Sequence, residues 1–139
     1  MLLKCVLNKV SKITDSDILI AISKHLHLSE VPLEIGKEYI PYGIIFREGL
    51  PWYYICEEET DYYPRPHFGG FFEIVDSSFF TCWRLNWEFG IHPASILPKE
   101  WSTNDLFYEN LINGGQIEQA MFQRFKQDID KEFQNMLRI

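Results

Sequence analysis

Apolar side chains near the end of the chain recur every three or four residues, which is the spacing of one face of an α-helix. The residues between them are mostly Gln, Asp, Lys and Glu. This pattern predicts a long C-terminal helix with one buried stripe. The stripe consists of Ile117, Met121, Phe125, Ile129, Phe133 and Leu137, and it is widened by Phe122 and Met136.

A shorter helix is predicted over residues 102–112. Ser102 is a favourable capping residue, and Trp101 and Leu106 have the spacing of a hydrophobic staple. The Asn and Gly residues at 113–115 predict that the helix ends there.

The first part of the chain has a more ambiguous pattern. Residues 2–7 predict a short strand or an apolar N-terminal arm. Residues 15–26 follow Thr14 in a capping-box pattern and place apolar residues on one helical face, which favours a helix. Residues 18–22 are also rich in isoleucine, a β-branched residue, so a strand stays open as an alternative.

The centre of the chain has the pattern of an antiparallel sheet. Apolar residues alternate along residues 40–46, and a second, mainly apolar segment at residues 52–57 predicts the next strand. Residues 47–50 between them predict a tight turn, and so short a connection predicts an antiparallel hairpin. Pro41 has no backbone donor, so we expect it at an edge or a bulge.

Further strands are predicted downstream of this hairpin. Residues 58–70 combine charges, prolines and paired glycines, which predicts a loop before a strand at residues 71–75 and a turn at 76–78. Residues 80–88 alternate clearly, which predicts a half-buried strand. Its apolar face consists of Trp83, Leu85 and Trp87, and its polar face of Arg84, Asn86 and Glu88. Residues 93–98 begin and end with proline and predict an irregular stretch.

Together these elements predict an α+β fold in a single domain over residues 1–139. Its core is an antiparallel sheet of about four strands in a meander, packed against the long C-terminal helix, with shorter helices beside it. A chain of this length suits one domain and buries about two-thirds of its unfolded surface. Aromatic residues make up 16% of the chain, which is many for one small core, so we expect some rings at the surface.

The formal net charge of −7 narrows the class of partner. It argues against a general binder of nucleic-acid phosphates, which needs a basic face. It suits a basic protein partner and also simple solubility. The apolar runs of residues 1–10 are too short for a signal-peptide core, and no stretch approaches the roughly 20 apolar residues of a membrane span. We therefore expect a cytoplasmic protein with no membrane contact and no direct nucleic-acid contact.

The cysteines and histidines do not form a recognisable reactive motif. Cys5, Cys56 and Cys82 include no CxxC pair, so they are interpreted as reduced structural thiols. His25 and His27 would share a face only on a strand, and no further ligand accompanies them.

Two other histidines suggest an alternative function. His67 and His92 lie beside prolines in predicted loops, and either would serve as a general base in a small hydrolase or isomerase if a carboxylate and a nucleophile lay nearby. No nucleophile motif accompanies them. The sequence therefore predicts no catalytic residue, no bound metal and no cofactor.

The segment that begins at residue 57 is the most informative candidate site. It places four carboxylates before two tyrosines in a predicted loop. Tyrosine is favoured at interface hot spots, and carboxylates attract a basic partner. The competing interpretation is a solvated loop whose tyrosines fold back on the sheet, and the spacing of a calcium loop is absent. The predicted partner-binding residues are Glu57, Glu58, Glu59, Asp61, Tyr62 and Tyr63.

The order of the central segments is similar to that of small bacterial proteins encoded beside polymorphic toxins. The similarity covers residues 33–88 and rests on LEIGKEY at 33–39, YGI at 42–44, WYYIC at 52–56 and FFEIVD at 71–76, followed by Trp-Arg. Those proteins include the immunity proteins of contact-dependent growth inhibition systems. The resemblance implies a cytoplasmic inhibitor that occludes a cognate toxin domain, such as a basic nuclease. A small enzyme and a regulatory interaction module are the alternative classes.

Overall fold

The computed structural model describes residues 1–26, 31–90 and 93–137. Within these ranges the chain forms eight strands, four α-helices and two short 3-10 turns. The strands are β1 Leu2–Cys5, β2 Glu38–Tyr39, β3 Ile44–Arg47, β4 Leu50–Ile55, β5 Arg65–Phe68, β6 Phe72–Asp76, β7 Trp83–Asn86 and β8 Ser95–Pro98. The helices are α1 Ser16–Ser23, α2 Lys99–Ser102, α3 Phe107–Ile112 and α4 Gln116–Met136. The 3-10 turns are Val10–Lys12 and Gly69–Phe71.

The strands form two antiparallel sheets, which confirms the α+β class and corrects the predicted topology. One sheet has the order β2-β1-β6 and the other the order β5-β4-β3-β8-β7. The single meander of about four strands is therefore wrong. The physical reason is the N-terminal strand, because β6 pairs with β1, with Leu3 opposite Ile74, instead of with the central hairpin.

The predicted central hairpin is confirmed. Arg47 of β3 lies opposite Leu50 of β4, so the turn has two residues, Glu48 and Gly49. Their φ values are 53° and 75°, and positive φ at both central residues is what a type I′ turn requires. This turn follows the right-handed twist of the strands and fixes their register.

Only the second half of the predicted strand at residues 40–46 is regular strand, and the chain changes sheet just before it. Tyr39 pairs in β2, whereas Ile44 begins β3. Pro41 lies buried where the chain passes from one sheet to the other. The ladder of β4 still reaches this junction, since the backbone N–H of Tyr42 donates to the carbonyl of Tyr54 over 2.9 Å.

Two strands occupy stretches that the sequence predicts to be irregular. The predicted loop at residues 58–70 contains β5, and the stretch framed by Pro93 and Pro98 contains β8. Both strands are short and contain proline, which hides their strand pattern. Pro66 is tolerated because β5 lies at the edge of its sheet, and Pro98 because it is the last residue of β8.

The predicted strand at residues 80–88 is shorter and less buried than its pattern indicates. The strand β7 covers only Trp83–Asn86, and Trp83 is its buried aromatic residue. Leu85 is 71% exposed and Trp87 63% exposed, so the prediction of one buried apolar face is wrong beyond Trp83. β7 is an edge strand, and the core does not extend beneath its second half.

The first helix is confirmed as α1, and the alternative of a strand at residues 18–22 is wrong. The cap is Asp15 and not Thr14, because Asp15 Oδ1 accepts hydrogen bonds from the backbone of Asp17 and Ile18 over 2.9 and 3.1 Å. A capping carboxylate satisfies donors that have no partner within the helix.

The predicted helix at residues 102–112 is confirmed only in its second half, since α3 covers Phe107–Ile112 and ends where predicted, whereas Ser102 belongs to the separate helix α2. The Ser102 hydroxyl donates to the carbonyl of Lys99, so Ser102 ends α2 and does not cap a helix. The staple is also wrong, because Trp101 is buried while Leu106 is exposed. The turn between the helices is fixed by Asn104, whose side chain accepts a hydrogen bond from the Leu106 backbone.

The C-terminal helix is confirmed as α4, with a narrower buried stripe than predicted. Its buried residues are Phe122, Phe125 and Ile129. Ile117, at its beginning, is 72% exposed, and Leu137 beyond its end is also exposed. The Phe122 ring lies 5.7 Å from the ring of Tyr42, so α4 packs on the junction of the two sheets. No helix among residues 1–26, 31–90 and 93–137 is long and apolar enough to cross a bilayer.

Candidate protein-binding surface

The predicted partner-binding segment is the connection between β4 and β5. It follows the central hairpin at Ile55 and returns at Arg65 to the edge of the five-stranded sheet. Its far end is tied to α3, because the Tyr108 hydroxyl donates a 2.7 Å hydrogen bond to the carbonyl of Pro64. Pro64 itself is fully buried. The connection is therefore anchored at both ends to the folded core.

Glu57 forms the centre of an ion-pair cluster at the base of this connection. Arg65 donates from Nε to Glu57 Oε1 over 2.7 Å and from Nη2 to Oε2. His67 Nε2 lies 3.0 Å from the same Oε1. Arg65 and His67 are two residues apart on β5, so their side chains leave the strand on the same face and reach one carboxylate.

The electrostatics of the cluster favour the ionised form of Glu57. Burial alone would raise the pKa of the Glu57 carboxyl, but the hydrogen bonds from His67 and Arg65 outweigh burial and lower it below its usual value. The hydrogen bond to Glu57 in turn raises the pKa of Arg65. The Glu57 side chain is 13% exposed. Its charge is thus neutralised within the fold.

This cluster sets Glu57 apart from the other predicted partner-binding residues. Glu57 is one of the four carboxylates predicted at a binding surface, but its carboxylate is largely buried and already paired. The remaining predicted residues form an acidic-tyrosine segment on the outer side of the connection. This segment consists of Glu58, Glu59, Asp61, Tyr62 and Tyr63.

The acidic-tyrosine segment presents both charge and aromatic surface. Glu58 and Glu59 are exposed, whereas Asp61 is half-buried and its Oδ2 accepts a 3.1 Å hydrogen bond from the Glu58 backbone. Tyr62 is 49% exposed, and its ring meets the ring of Tyr63 edge-on with centroids 4.9 Å apart. Tyr63 packs against the core. The core thereby supports Tyr63, which in turn supports the exposed ring of Tyr62.

Two recesses flank this segment. A cleft of about 260 Å³ is lined by Glu57, Asp61, Tyr62, Tyr63 and Arg65. A groove of about 400 Å³ is lined by Glu59 together with residues near β2 and on α4, among them Lys126 and Asp130. Asp130 is held there by hydrogen bonds from the Tyr42 hydroxyl, at 2.7 Å, and from Lys126 Nζ, at 3.0 Å. Both recesses combine charged groups with aromatic or apolar side chains.

The two histidines that the structure describes, His25 and His67, pack against other side chains of the fold. The ring of His25 meets Trp52 edge-on at 5.7 Å, and His25 Nε2 is 4.0 Å from Glu48 Oε1. His67 belongs to β5 and not to a loop, and it is buried. Among the residues that the structure describes, no three His, Cys, Asp or Glu side chains are grouped to hold a metal ion. His27 and His92 lie outside the described residues.

The three cysteines are reduced thiols in the structure. Burial raises the pKa of Cys5, and it raises the pKa of Cys56 to about 12 and that of Cys82 to about 11. A nucleophilic cysteine needs a lowered pKa, because the thiolate is the reactive form. These environments therefore suit structural thiols.

A second exposed surface lies on and after β7, where the sequence pattern predicts a buried face. Leu85 and Trp87 are exposed, as described above, and Phe89 beyond the strand is 85% exposed. Their alternation with polar residues is typical of a half-buried strand, so the pattern alone assigns them to the core. The signal that points the other way is the aromatic content of 16%, which exceeds what one small core holds.

Comparisons with known proteins do not extend this description. No protein-family model, no curated protein and no solved structure matches the chain.

Proposed function

We propose that the protein is an immunity protein that binds a cognate bacterial toxin domain and neutralises it by occlusion. The observation that carries this proposal is the acidic-tyrosine segment, where exposed carboxylates stand beside an exposed tyrosine on an anchored connection. A binding surface gains affinity when it is ordered before the partner arrives, since less conformational entropy is then lost.

The charge distribution supports a basic partner. The chain has 20 acidic and 13 basic residues, so long-range attraction speeds its encounter with a positively charged surface. Toxin domains that cleave nucleic acid must bind phosphates and therefore carry basic active sites. Glu58 and Glu59 are exposed carboxylates of the segment, so they are available to such a site.

Within the segment the two residue types have different roles. Exposed carboxylates act mainly on the association rate, because their field extends beyond contact and is screened by salt. Tyr62 acts mainly on the dissociation rate, since a ring that is desolvated in the complex must be released before the partners separate. Glu57 has neither role, because its charge serves the ion-pair cluster.

The decisive experiment uses any toxin domain that is encoded beside the gene. Surface kinetics at two salt concentrations are compared for the parent, the Glu58→Gln/Glu59→Gln variant and Tyr62→Ala. We expect the double variant to associate more slowly and with weaker salt dependence. We expect Tyr62→Ala to dissociate about tenfold faster, which corresponds to about 1.4 kcal/mol.

A matched control removes the same charge from other exposed positions. Glu73→Gln/Glu109→Gln has the same net charge as Glu58→Gln/Glu59→Gln, but neither position lies in the segment. Survival of toxin-exposed cells gives the functional readout. If both segment variants bind and protect like the control, this segment is not the interface. If no adjacent toxin domain binds the parent protein, the immunity proposal itself is wrong.

One observation favours the alternative of a small enzyme, namely the 3.0 Å contact between His67 and Glu57. A histidine oriented by a carboxylate is the arrangement of a general base. In this fold the same carboxylate also accepts two hydrogen bonds from Arg65, and His67 is 6% exposed. These contacts fit a structural clamp better than a base that must reach a substrate. A turnover that His67→Ala abolishes in a correctly folded variant would reverse this preference.

A further inference from the structure

The strand β7 leaves one edge of the five-stranded sheet open within the described chain. Its other edge pairs with β8, with Leu85 opposite Ile96 and Asn86 opposite Ser95. An edge strand presents backbone N–H and C=O groups that another strand can pair with. An extended segment of polypeptide could therefore pair with the open edge of β7.

The side chains on and after β7 continue a strand pattern beyond the last paired residue. Arg84, Asn86 and Glu88 alternate with Leu85 and Trp87, although the regular strand ends at Asn86. The apolar residues of this alternation are the exposed ones described above. A period-2 pattern that continues past the end of an edge strand lets the strand lengthen when another strand pairs with it, and exposed apolar side chains often mark a contact surface.

The sequence of this edge is complementary to itself. In an antiparallel pair centred on Asn86, Arg84 lies opposite Glu88 of the second copy, and Glu88 lies opposite Arg84. Leu85 lies opposite Trp87, and Asn86 opposite Asn86. Directly opposed residues share a face of the sheet, so this register places opposite charges together on one face and apolar side chains together on the other.

We propose that two copies of this chain associate through β7, in an antiparallel register centred on Asn86. The two five-stranded sheets then form one continuous sheet across a two-fold axis. A two-fold interface requires each residue pair to occur twice, and the Arg84–Glu88 and Leu85–Trp87 pairs satisfy this condition. Residues 87 and 88 join the strand in the dimer.

The local contacts of β7 are compatible with this arrangement. Arg84 Nη1 donates to the carbonyls of Thr81 and Trp83, and a guanidinium has further N–H donors for a carboxylate. The Asn86 side chain donates to the carbonyl of Ser102 at the end of α2, which fixes the polar face of the strand. The apolar face is continuous with the core at Trp83 and with the exposed ring of Phe79, whose centroid is 5.6 Å from that of Trp83.

Charges at an edge strand are also a known means of preventing aggregation. Charges of one sign at positions 84 and 88 would oppose pairing in the proposed register, whereas Arg84 and Glu88 attract in it. The choice of opposite signs at symmetric positions is the observation that favours a second copy over an unrelated partner strand.

The test combines sedimentation equilibrium over a range of protein concentrations with charge reversal at the edge. We expect a concentration-dependent dimer for the parent protein. Arg84→Glu alone and Glu88→Arg alone should each raise the dimer dissociation constant by at least about tenfold, because each creates two like-charge pairs. The doubly reversed protein, Arg84→Glu/Glu88→Arg, should recover the dimer.

Mixing the two single variants gives a control for loss of folding. In the mixed pair, one copy has acidic side chains at both positions 84 and 88, and the other copy has basic side chains at both. Every charged contact across the axis is then attractive, so a heterodimer should form although each variant alone is monomeric. A monomeric parent at all accessible concentrations would overturn the proposal. So would a dimer that is indifferent to all of these substitutions, since another surface would then be responsible.

The dimer proposal is independent of the immunity proposal. Toxin binding lost in Trp87→Ala together with a monomeric parent would mean that a heterologous partner, and not a second copy, docks on β7. A dimer that responds to charge reversal while no toxin binds would support this inference and contradict the proposed function.

Discussion

Replacing Glu57 with Gln tests the ion-pair cluster that anchors the connection between β4 and β5. The substitution keeps the shape of the side chain and removes its charge. The contact between His67 and Glu57 is a hydrogen bond to a charged group, and such bonds contribute about 1.5–3 kcal/mol. Both side chains are largely buried, so water screens this contact little. Arg65 is half exposed, so its pairing belongs to the surface class at about 0.2–1 kcal/mol.

The expected net loss is smaller than the sum of these contributions. The amide oxygen of Gln still accepts one hydrogen bond, and Arg65 can turn to water. We therefore expect Glu57→Gln to lower the free energy of unfolding by about 1–2 kcal/mol at neutral pH. Urea unfolding monitored by tryptophan fluorescence measures this quantity. Glu58→Gln is the matched control, since the Glu58 side chain is exposed, and it should change stability by less than about 0.5 kcal/mol.

The pH dependence gives a second signature of the same cluster. The pKa of Glu57 is lowered in the folded state, so its stabilisation is present above the unfolded pKa of about 4.3 and disappears as pH falls through the folded pKa. The stability difference between parent and Glu57→Gln should therefore shrink as the solution is acidified below pH 4. A difference that is absent at pH 7, or that grows on acidification, would refute the cluster as described.

Three further substitutions, two of them paired with a control substitution, test the fold itself. Phe125→Ala should cost about 3–5 kcal/mol because the ring is buried, whereas Ile117→Ala on the same helix should cost under about 0.5 kcal/mol, and chemical denaturation compares them. Gly49→Ala should cost about 1–2 kcal/mol by the same measurement, since its φ of 75° disfavours any side chain. Asp15→Ala removes the cap of α1, which should lower the free energy of unfolding by about 1 kcal/mol and lower the melting temperature with it. Thr14→Ala should leave the melting temperature nearly unchanged.

Several elements are predicted correctly because they are determined by residues that are close together in the sequence. The glycine in the Arg-Glu-Gly-Leu turn and the flanking apolar runs suffice for the central hairpin, and the helical spacing of residues 117–137 suffices for α4. The topology depends on pairing between distant residues. Nothing near residues 2–5 indicates that they pair with residues 72–76, so the three-stranded sheet is not predictable from local pattern.

The candidate site shows the same division between local and distant information. The acidic and tyrosine residues are visible in the sequence, but the fate of Glu57 depends on β5, which the prolines at 64 and 66 conceal. Once β5 exists, Arg65 and His67 must share a face, and the carboxylate that precedes them is drawn into a pair. The alternation at residues 83–87 misleads for the opposite reason, because periodicity reports which side chains share a face and not whether that face is covered.

The two edge strands of the five-stranded sheet, β5 and β7, differ in sequence, and this difference affects how each edge can bind a partner. On β5, Pro66 removes a backbone donor, and Arg65 and His67 are committed to Glu57, so this edge is closed to strand pairing while the adjoining segment keeps exposed charge and one exposed tyrosine. On β7, Trp83–Asn86 contains no proline, Leu85 is exposed, and no other strand of the described residues pairs with its outer edge. A surface built on β5 must therefore recognise its partner through side chains, and the affinity should depend strongly on salt. A surface built on β7 pairs through backbone and apolar contacts, and its affinity should depend chiefly on the register of the two strands. If both proposals hold, substitutions at Glu58 and Glu59 should leave the dimer mass unchanged. The charge reversal at Arg84 should then leave the salt dependence of the proposed toxin association unchanged. Coupling between these two sets of variants would show that the edges act as one surface.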